Sequence, residues 1–241
     1  MIAAAFVNSR LSIISYLQSP KFAPAPIIRT DGRAIVLDLS RGRQLQGQDI
    51  VGLDVDMLGE VIDTTMREAG TAFAFGRYGE PRELYSNDDF YEDGEARTIH
   101  LGIDLFCNVD TPVYTPLKGT IELVANNDRE LDYGPMVVVR HDIVDIGSMY
   151  TLYGHLSLDT LERVKTGQTV AAGEQIAAIG SPPGNGNWPP HLHMQVVVDM
   201  LGRGRNFPGV VTKSEQDYWF GISPSPAVFF PEYDASQLEY S

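Results

Sequence analysis

Five histidines occur in the 241 residues, and four of them stand where metal chemistry would need them. His100 and Asp104 are four apart around Gly102, His191 and His193 flank Leu192, and His155 lies between the two pairs in Tyr153-Gly154-His155-Leu156. Imidazole and carboxylate are borderline ligands. Three of them plus one open position is the arrangement of a catalytic zinc, whereas structural zinc is closed by four ligands, often thiolates. Cys107 is the lone cysteine, so the pattern points to a metal that does chemistry. A His-x-x-x-Asp pair alone arises often by chance and a His-x-His is only somewhat more specific; their occurrence together in one strand-rich stretch carries the weight.

The spacing constrains the elements that hold these groups. Along an extended strand, residues four apart are separated by about 13 Å, too far to share one ion, so the segment 98–106 has to bend, and Gly102 is well placed for it. Strand parity puts His100, Gly102, Asp104 and Phe106 on one face and Leu101, Ile103, Leu105 and Cys107 on the other. Cys107 therefore reads as a buried apolar residue rather than a ligand. By the same rule His191, His193 and Gln195 alternate with Leu192, Met194 and Val196, so both histidines face one polar cleft. There, one can bind metal while its neighbour reaches the substrate. His141, after the run Val137-Val138-Val139-Arg140, reads as a strand-end residue with local hydrogen bonds. The loop 184–190, with Trp188, Pro189 and Pro190, is stiff and aromatic and lies at the mouth of the cleft.

Three zones separate by pattern, and together they indicate a mainly β protein. Residues 1–92 form a mixed α/β extension. Phe6, Leu11, Ile14 and Leu17 suggest a helix over 3–17, residues 34–39 a strand, and Asp54 or Asp56 caps a helix to about Glu68 that Gly70 ends. No chemical motif is found there, and a packing or adaptor role is expected. Residues 93–203 are strand-rich, with segments at 98–106, 119–124, 136–141, 150–156, 175–179 and 192–198. Residues 204–241 form an irregular extension expected to pack on the core through Trp219, Phe229, Phe230 and Tyr233.

The formal net charge of −14 repels phosphate backbones and anionic headgroups. Nucleic acid and bare membrane are thus poor partners, and a peptide or small molecule is the better one. No apolar run approaches the roughly 20 residues of a membrane span, so no membrane insertion is expected. Residues 1–18 make a poor signal peptide. That favours a cytoplasmic location, or a periplasmic or extracellular one if the natural N-terminus lies elsewhere.

Residues 97–199 resemble the lysostaphin/LytM-type zinc metallopeptidase domain. The matching pieces are the stretch from Ile99 to Leu105, that from Thr111 to Thr120, Tyr133-Gly134, Tyr153-Gly154-His155-Leu156, the hairpin from Gly167 to Gly180, and the run from Pro190 to Gln195. The resemblance implies a duplicated hybrid motif, a β-sandwich or barrel core. It also implies that His100, Asp104 and His193 hold one zinc ion per chain, that His155 and His191 are the catalytic histidines, and that the reaction is amide hydrolysis in peptidoglycan cross-bridge-type peptides. The sequence departs from the family pattern at Gln195, where a glutamate is usual, in the bulky loop at Trp188, and in an extra polar loop over 126–133. The long form also resembles family domains joined to kinase-like and aminotransferase-like modules, which would be its partners. The alternatives are a non-hydrolytic binding or regulatory module of the same fold, and a cytoplasmic amidase acting on a small peptide or amide metabolite. A carrier-type domain is disfavoured, since neither Lys118 nor Lys165 lies in a hairpin-tip motif.

Overall fold

Strand order in the main sheet brings the two motif-bearing segments side by side. The structure is a computed structural model that describes residues 2–30, 32–40, 42–83, 91–92 and 94–240. Its largest sheet runs Ile35–Val36, Ala74–Gly76, Ile103–Phe106, His191–Val197, Gly147–Gly154, Gly134–Ile143, Gly119–Asn127 and Thr169–Val170. The first pair is parallel and the other neighbours are antiparallel. Smaller sheets pair Gln175–Ala178 with Pro112–Tyr114, and Val210–Thr212 with Glu95–His100 and Tyr91–Glu92. The chain is mainly β, as its patterning indicates. Among the described residues, no helix is long and apolar enough to cross a membrane.

The expected strand over 98–106 is two strands. Glu95–His100 and Ile103–Phe106 belong to different sheets, with the turn at Leu101 and Gly102. The break also divides the side chains that strict parity would keep together. Ile103, Leu105 and Cys107 enter the large core with Leu192, Met194, Val196 and Tyr153, whereas Leu101 joins Ile99, Leu152, Phe207 and Trp219 in a second core. The main sheet is thus covered on both faces, and every residue of His191–Val197 is buried. Alternation along that strand separates apolar packing from an enclosed polar site, not core from solvent.

The N-terminal zone is sewn into this sheet. Ala74–Gly76 pairs antiparallel with Ile103–Phe106, and Ile35–Val36 pairs beyond it. The strand expected over 34–39 is only two residues long, although the Leu37 amide still donates to the Phe75 carbonyl and Leu37 and Leu39 are buried beyond it. The helix Val55–Glu68 is capped by Asp54, whose carboxylate accepts from the Met57 amide, and Asp56 falls in its first turn. Gly70 follows at φ +68°, the left-handed conformation that glycine adopts without strain. Leu58, Val61, Ile62 and Met66 recur at helical spacing and pack with Leu37, Leu39, Ala74 and Phe106. The C-terminal zone contains short elements rather than none, including Val210–Thr212 and Gln216–Phe220. It touches both faces of the sheet, through Trp219 on one and Phe229 and Phe230 on the other.

Candidate metal centre

Cross-strand register sets the centre. Gly76 lies opposite Asp104, Asp104 opposite His193, and His193 opposite Gly154. His100 reaches the same spot from the neighbouring sheet, around the turn at Gly102. That turn needs a glycine: a Cβ there would lie 2.5 Å from Cε1 of His193. Gly76 is close-packed too, a Cβ on it meeting the end of the Arg82 side chain at 2.5 Å and Leu39 at 3.2 Å.

Three donor atoms converge as a result. Nε2 of His100 is 3.0 Å from Nδ1 of His193 and 3.2 Å from Oδ1 of Asp104, and Nδ1 of His193 is 2.9 Å from the same oxygen. Donors around a tetrahedral zinc ion stand about 3.3 Å apart, given bonds of about 2.0–2.1 Å, so the triangle is slightly tight but of the right size.

The surrounding hydrogen bonds fix which atoms carry protons. Nδ1 of His100 is 2.9 Å from the carbonyl of Arg77 and must donate to it, which leaves a lone pair on Nε2. The amide of Gln195 donates through Nε2 to the carbonyl of Pro208 at 3.2 Å, so its Oε1 is the atom facing His193. Nε2 of His193, at 2.9 Å from that oxygen, therefore holds the proton, and Nδ1 holds a lone pair. Two imidazole lone pairs and an anionic carboxylate oxygen thus meet at about hydrogen-bond distance with no proton between them. Such an arrangement repels itself unless a cation lies among the donors, and the residues fit a zinc ion on that ground.

His155 and His191 lie beside this triad, with ring centroids 4.3 Å apart. Nδ1 of His155 donates to the carbonyl of Asn185 at 2.9 Å, and Nδ1 of His191 donates to that of Pro189 at 2.7 Å. Both therefore present Nε2 as an acceptor, and Nε2 of His191 is 3.8 Å from Oδ1 of Asp104. His155 adopts φ +60°, which is unusual for a residue other than glycine. It is held there by its amide bonded to Tyr133 and its carbonyl bonded to Gly180. Burial pulls the pKa of His191 down, and burial with the neighbouring His191 and His193 holds His155 well below its ordinary value. Burial, assisted by Arg82, pushes His100 down to about 4. These rings are neutral at pH 7, as ligands and bases must be.

Asp104 differs. Burial would raise its carboxyl, but His100, Arg82 and His191 hold it well below the usual range. Arg82 bonds its Oδ2, and the chain of charge continues from Arg82 to Glu80 and on to Arg77 and Asp38. Sequence reasoning found no chemistry in this zone. The alternation Arg77, Glu80, Arg82 was the available hint, and alternating charges more often mark a solvated face. Glu80 is in fact fully buried.

His141 lies elsewhere. Its Nδ1 is 3.0 Å from the carbonyl of Lys118 and its Nε2 is 2.8 Å from the hydroxyl of Thr151. Cys107 is buried beside Leu105, and burial raises its thiol to about 12. The four central histidines and Asp104 are each at most 6% exposed. On the N-terminal side, Leu39, Leu58 and Ile62 close over them, leaving a cavity of about 30 Å³. On the other side, a cleft of about 260 Å³ reaches His155 and His193 past Tyr133 and Trp188.

Part of the chain is similar to known proteins. The model of "Peptidase family M23" matches residues 98–204. An L-Ala--D-Glu endopeptidase of Bacillus subtilis is 35% identical over 109 residues, 43% of this chain and 31% of the relative. An uncharacterized metalloprotease of Haemophilus influenzae is 38% identical over 108 residues, 44% of this chain and 20% of the relative. The chain therefore spans less than a third of the length of these curated relatives. The catalytic domain of lysostaphin from Staphylococcus simulans aligns at 24% identity over 58% of this chain and 88% of its own, with a TM-score of 0.38. Residues 98–204, under half of the chain, are thus similar to peptidase family M23.

Proposed function

We propose that this protein is a zinc-dependent metallopeptidase that hydrolyses an amide bond in peptides of the peptidoglycan cross-bridge type. One zinc ion is held by His100, Asp104 and His193, and His155 and His191 are the catalytic histidines. The observation that carries the reading is the meeting of three donor atoms with no proton between them, next to two neutral imidazoles whose Nε2 atoms are free. The match to family M23 and the name of the Bacillus subtilis relative support a peptide bond as the target. Within the chain, residues 93–203 are the catalytic core, 1–92 roof one side of it, and 204–241 pack on it.

Held by His100, Asp104 and His193, zinc would supply Lewis acidity and would make water at the site acidic enough to ionise near neutral pH. The chain's own residues do the rest. His155 and His191 are each aimed by a carbonyl on Nδ1, so Nε2 is the atom that takes a proton from the attacking water. The same atom then delivers that proton to the leaving amine nitrogen. While protonated, the imidazolium donates to the carbonyl oxygen on which negative charge develops. Enclosure by Leu39, Leu58 and Ile62 excludes competing water.

The test is to incubate the zinc-loaded chain with purified peptidoglycan and with a diverse set of short peptides. New amines are expected, their release stopped by a chelator and restored by zinc. Failure of a metal-loaded sample to cleave any of them would make the protein a non-hydrolytic module of the same fold.

A further inference from the structure

The roof over the centre turns on one side chain. Leu58 and Ile62 stand one turn apart on the buried face of the helix Val55–Glu68. Both line the cavity of about 30 Å³ beside Asp104, His155, His191 and His193. Leu58 also lines a second hollow, of about 170 Å³, with Ile50, Leu53, Val55 and Leu131. Leu58, Trp188 and Pro189 are common to both spaces and form the partition between them. The loop fixes the other two: Asn185 bonds the amide and the carbonyl of Trp188, and the Pro189 carbonyl accepts from His191. Leu58 comes instead from the N-terminal zone, outside the matched residues 98–204.

We propose that Leu58 sets the specificity of the reaction, shutting the metal centre off from the hollow of about 170 Å³ and limiting the substrate, on that side of the scissile amide, to a group about the size of a methyl. The rest of the peptide lies in the cleft of about 260 Å³ that reaches His155 and His193. The proposal rests on the peptidase reading and names its substrate class, peptides with a small terminal group on one side of the cleaved bond. The sizes decide it. An apolar cavity of about 150 Å³ holds a benzene ring, whereas one water takes up about 30 Å³ of liquid. The space at the centre thus accepts a water or a methyl group and no ring. The hollow behind Leu58 is large enough for a ring but cut off. Leu58 is only 6% exposed and packs with Leu37, Leu39, Ile62 and Phe106, and a close-packed side chain does not swing aside freely.

The test uses N-hydroxy amides, which carry an acyl arm and an amine arm across a zinc-chelating group. Three are titrated into the zinc-loaded full chain by calorimetry: acetyl with N-benzyl, phenylacetyl with N-methyl, and phenylacetyl with N-benzyl. The better of the two compounds with one ring is expected to bind at least about tenfold more tightly than the compound with two, as overfilling a packed site implies. Which of the two is better tells which arm faces the roof. Leu58→Ala joins the two spaces and is expected to bring the ratio near one, with zinc content unchanged. Leu58→Val, which removes less packing, is expected to lower the ratio by a smaller factor. Ile62→Val loosens the same core without touching the partition and is expected to keep the ratio. Equal binding of one-ring and two-ring compounds by the unaltered chain overturns the proposal, as does no binding of any at millimolar concentration. So does a ratio that both Leu58 variants leave intact, or one that Ile62→Val abolishes. Because binding needs no turnover, the expected ratios without hydrolysis of any peptide would retain the partition and sink the peptidase reading. Hydrolysis between two large residues would do the reverse.

Discussion

Arg82 and Asp104 form a buried ion pair, Nη1 to Oδ2 at 2.5 Å, that leaves only Oδ1 of Asp104 facing His100 and His193. The guanidinium thus decides which oxygen of the carboxylate is presented. Arg82→Lys keeps the charge but not the fork that spans Glu80 and Asp104. It is expected to lower zinc affinity about 10–100-fold in a chelator competition, the usual cost of losing a partner behind a metal ligand. Arg82→Met strands a buried carboxylate and is expected to cost about 3 kcal/mol in a denaturant titration. Zinc affinity unchanged in both variants would reduce Arg82 to a scaffold residue.

His155→Ala and His191→Ala separate chemistry from binding. Under the proposed roles each lowers turnover by about 10²–10⁴-fold, while elemental analysis finds the zinc content of the unaltered protein. Stoichiometric loss of metal from either variant would move that residue into the ligand set.

Gln195→Glu inserts the glutamate that the family resemblance leads one to expect, and the fold is poorly suited to receive it. The amide nitrogen of Gln195 donates to the Pro208 carbonyl and to Ser223, and its oxygen accepts from Tyr133 and His193. A carboxylate would place an oxygen against the Pro208 carbonyl with no proton to share. Destabilisation of about 1–3 kcal/mol is expected in thermal or denaturant unfolding. A variant as stable as the original would show that the Pro208 contact is not what holds the amide in place.

His141 predicts the sign of a pH effect. Burial lowers its pKa, so between the lowered value and the ordinary one, near 6.5, the unfolded chain binds the proton that the native state refuses. Stability from this residue is complete above about pH 6.5 and is lost as pH falls below it. The melting temperature of the zinc-free protein should decline over that range, and His141→Gln should make the decline shallower. An identical slope in the variant would assign the effect to other groups.

The sequence showed much of the frame and only part of the centre. Alternation along His191–Val197, the helix beginning at Asp54 and the bend at Gly102 are local matters of period and backbone freedom, legible without tertiary information. Leu101 and Ile103 went to different cores because the bend that brings His100 to Asp104 also changes the sheet, which parity along one strand does not encode. Arg82 was invisible for a related reason. Its charge looks like any surface charge until the segment 80–82 bonds along the strand Glu95–His100, the Arg82 amide donating to the Thr98 carbonyl, and brings it against Asp104. Likewise, nothing local to Leu58 or Ile62 distinguishes a helix that roofs a metal centre from one that only fills a core.

Because Ala74–Gly76 occupies the flank of Ile103–Phe106, the family-matched region is not a severable unit. Trimming the chain to residues 98–204 would uncover the edge of Ile103–Phe106, three positions of which pair with Ala74–Gly76, and leave its amides and carbonyls without their partners. The same cut would strip Asp104 of its guanidinium. A minimal version cut at the matched boundaries would therefore bind metal poorly, and its inactivity would say nothing about the chemistry of the whole.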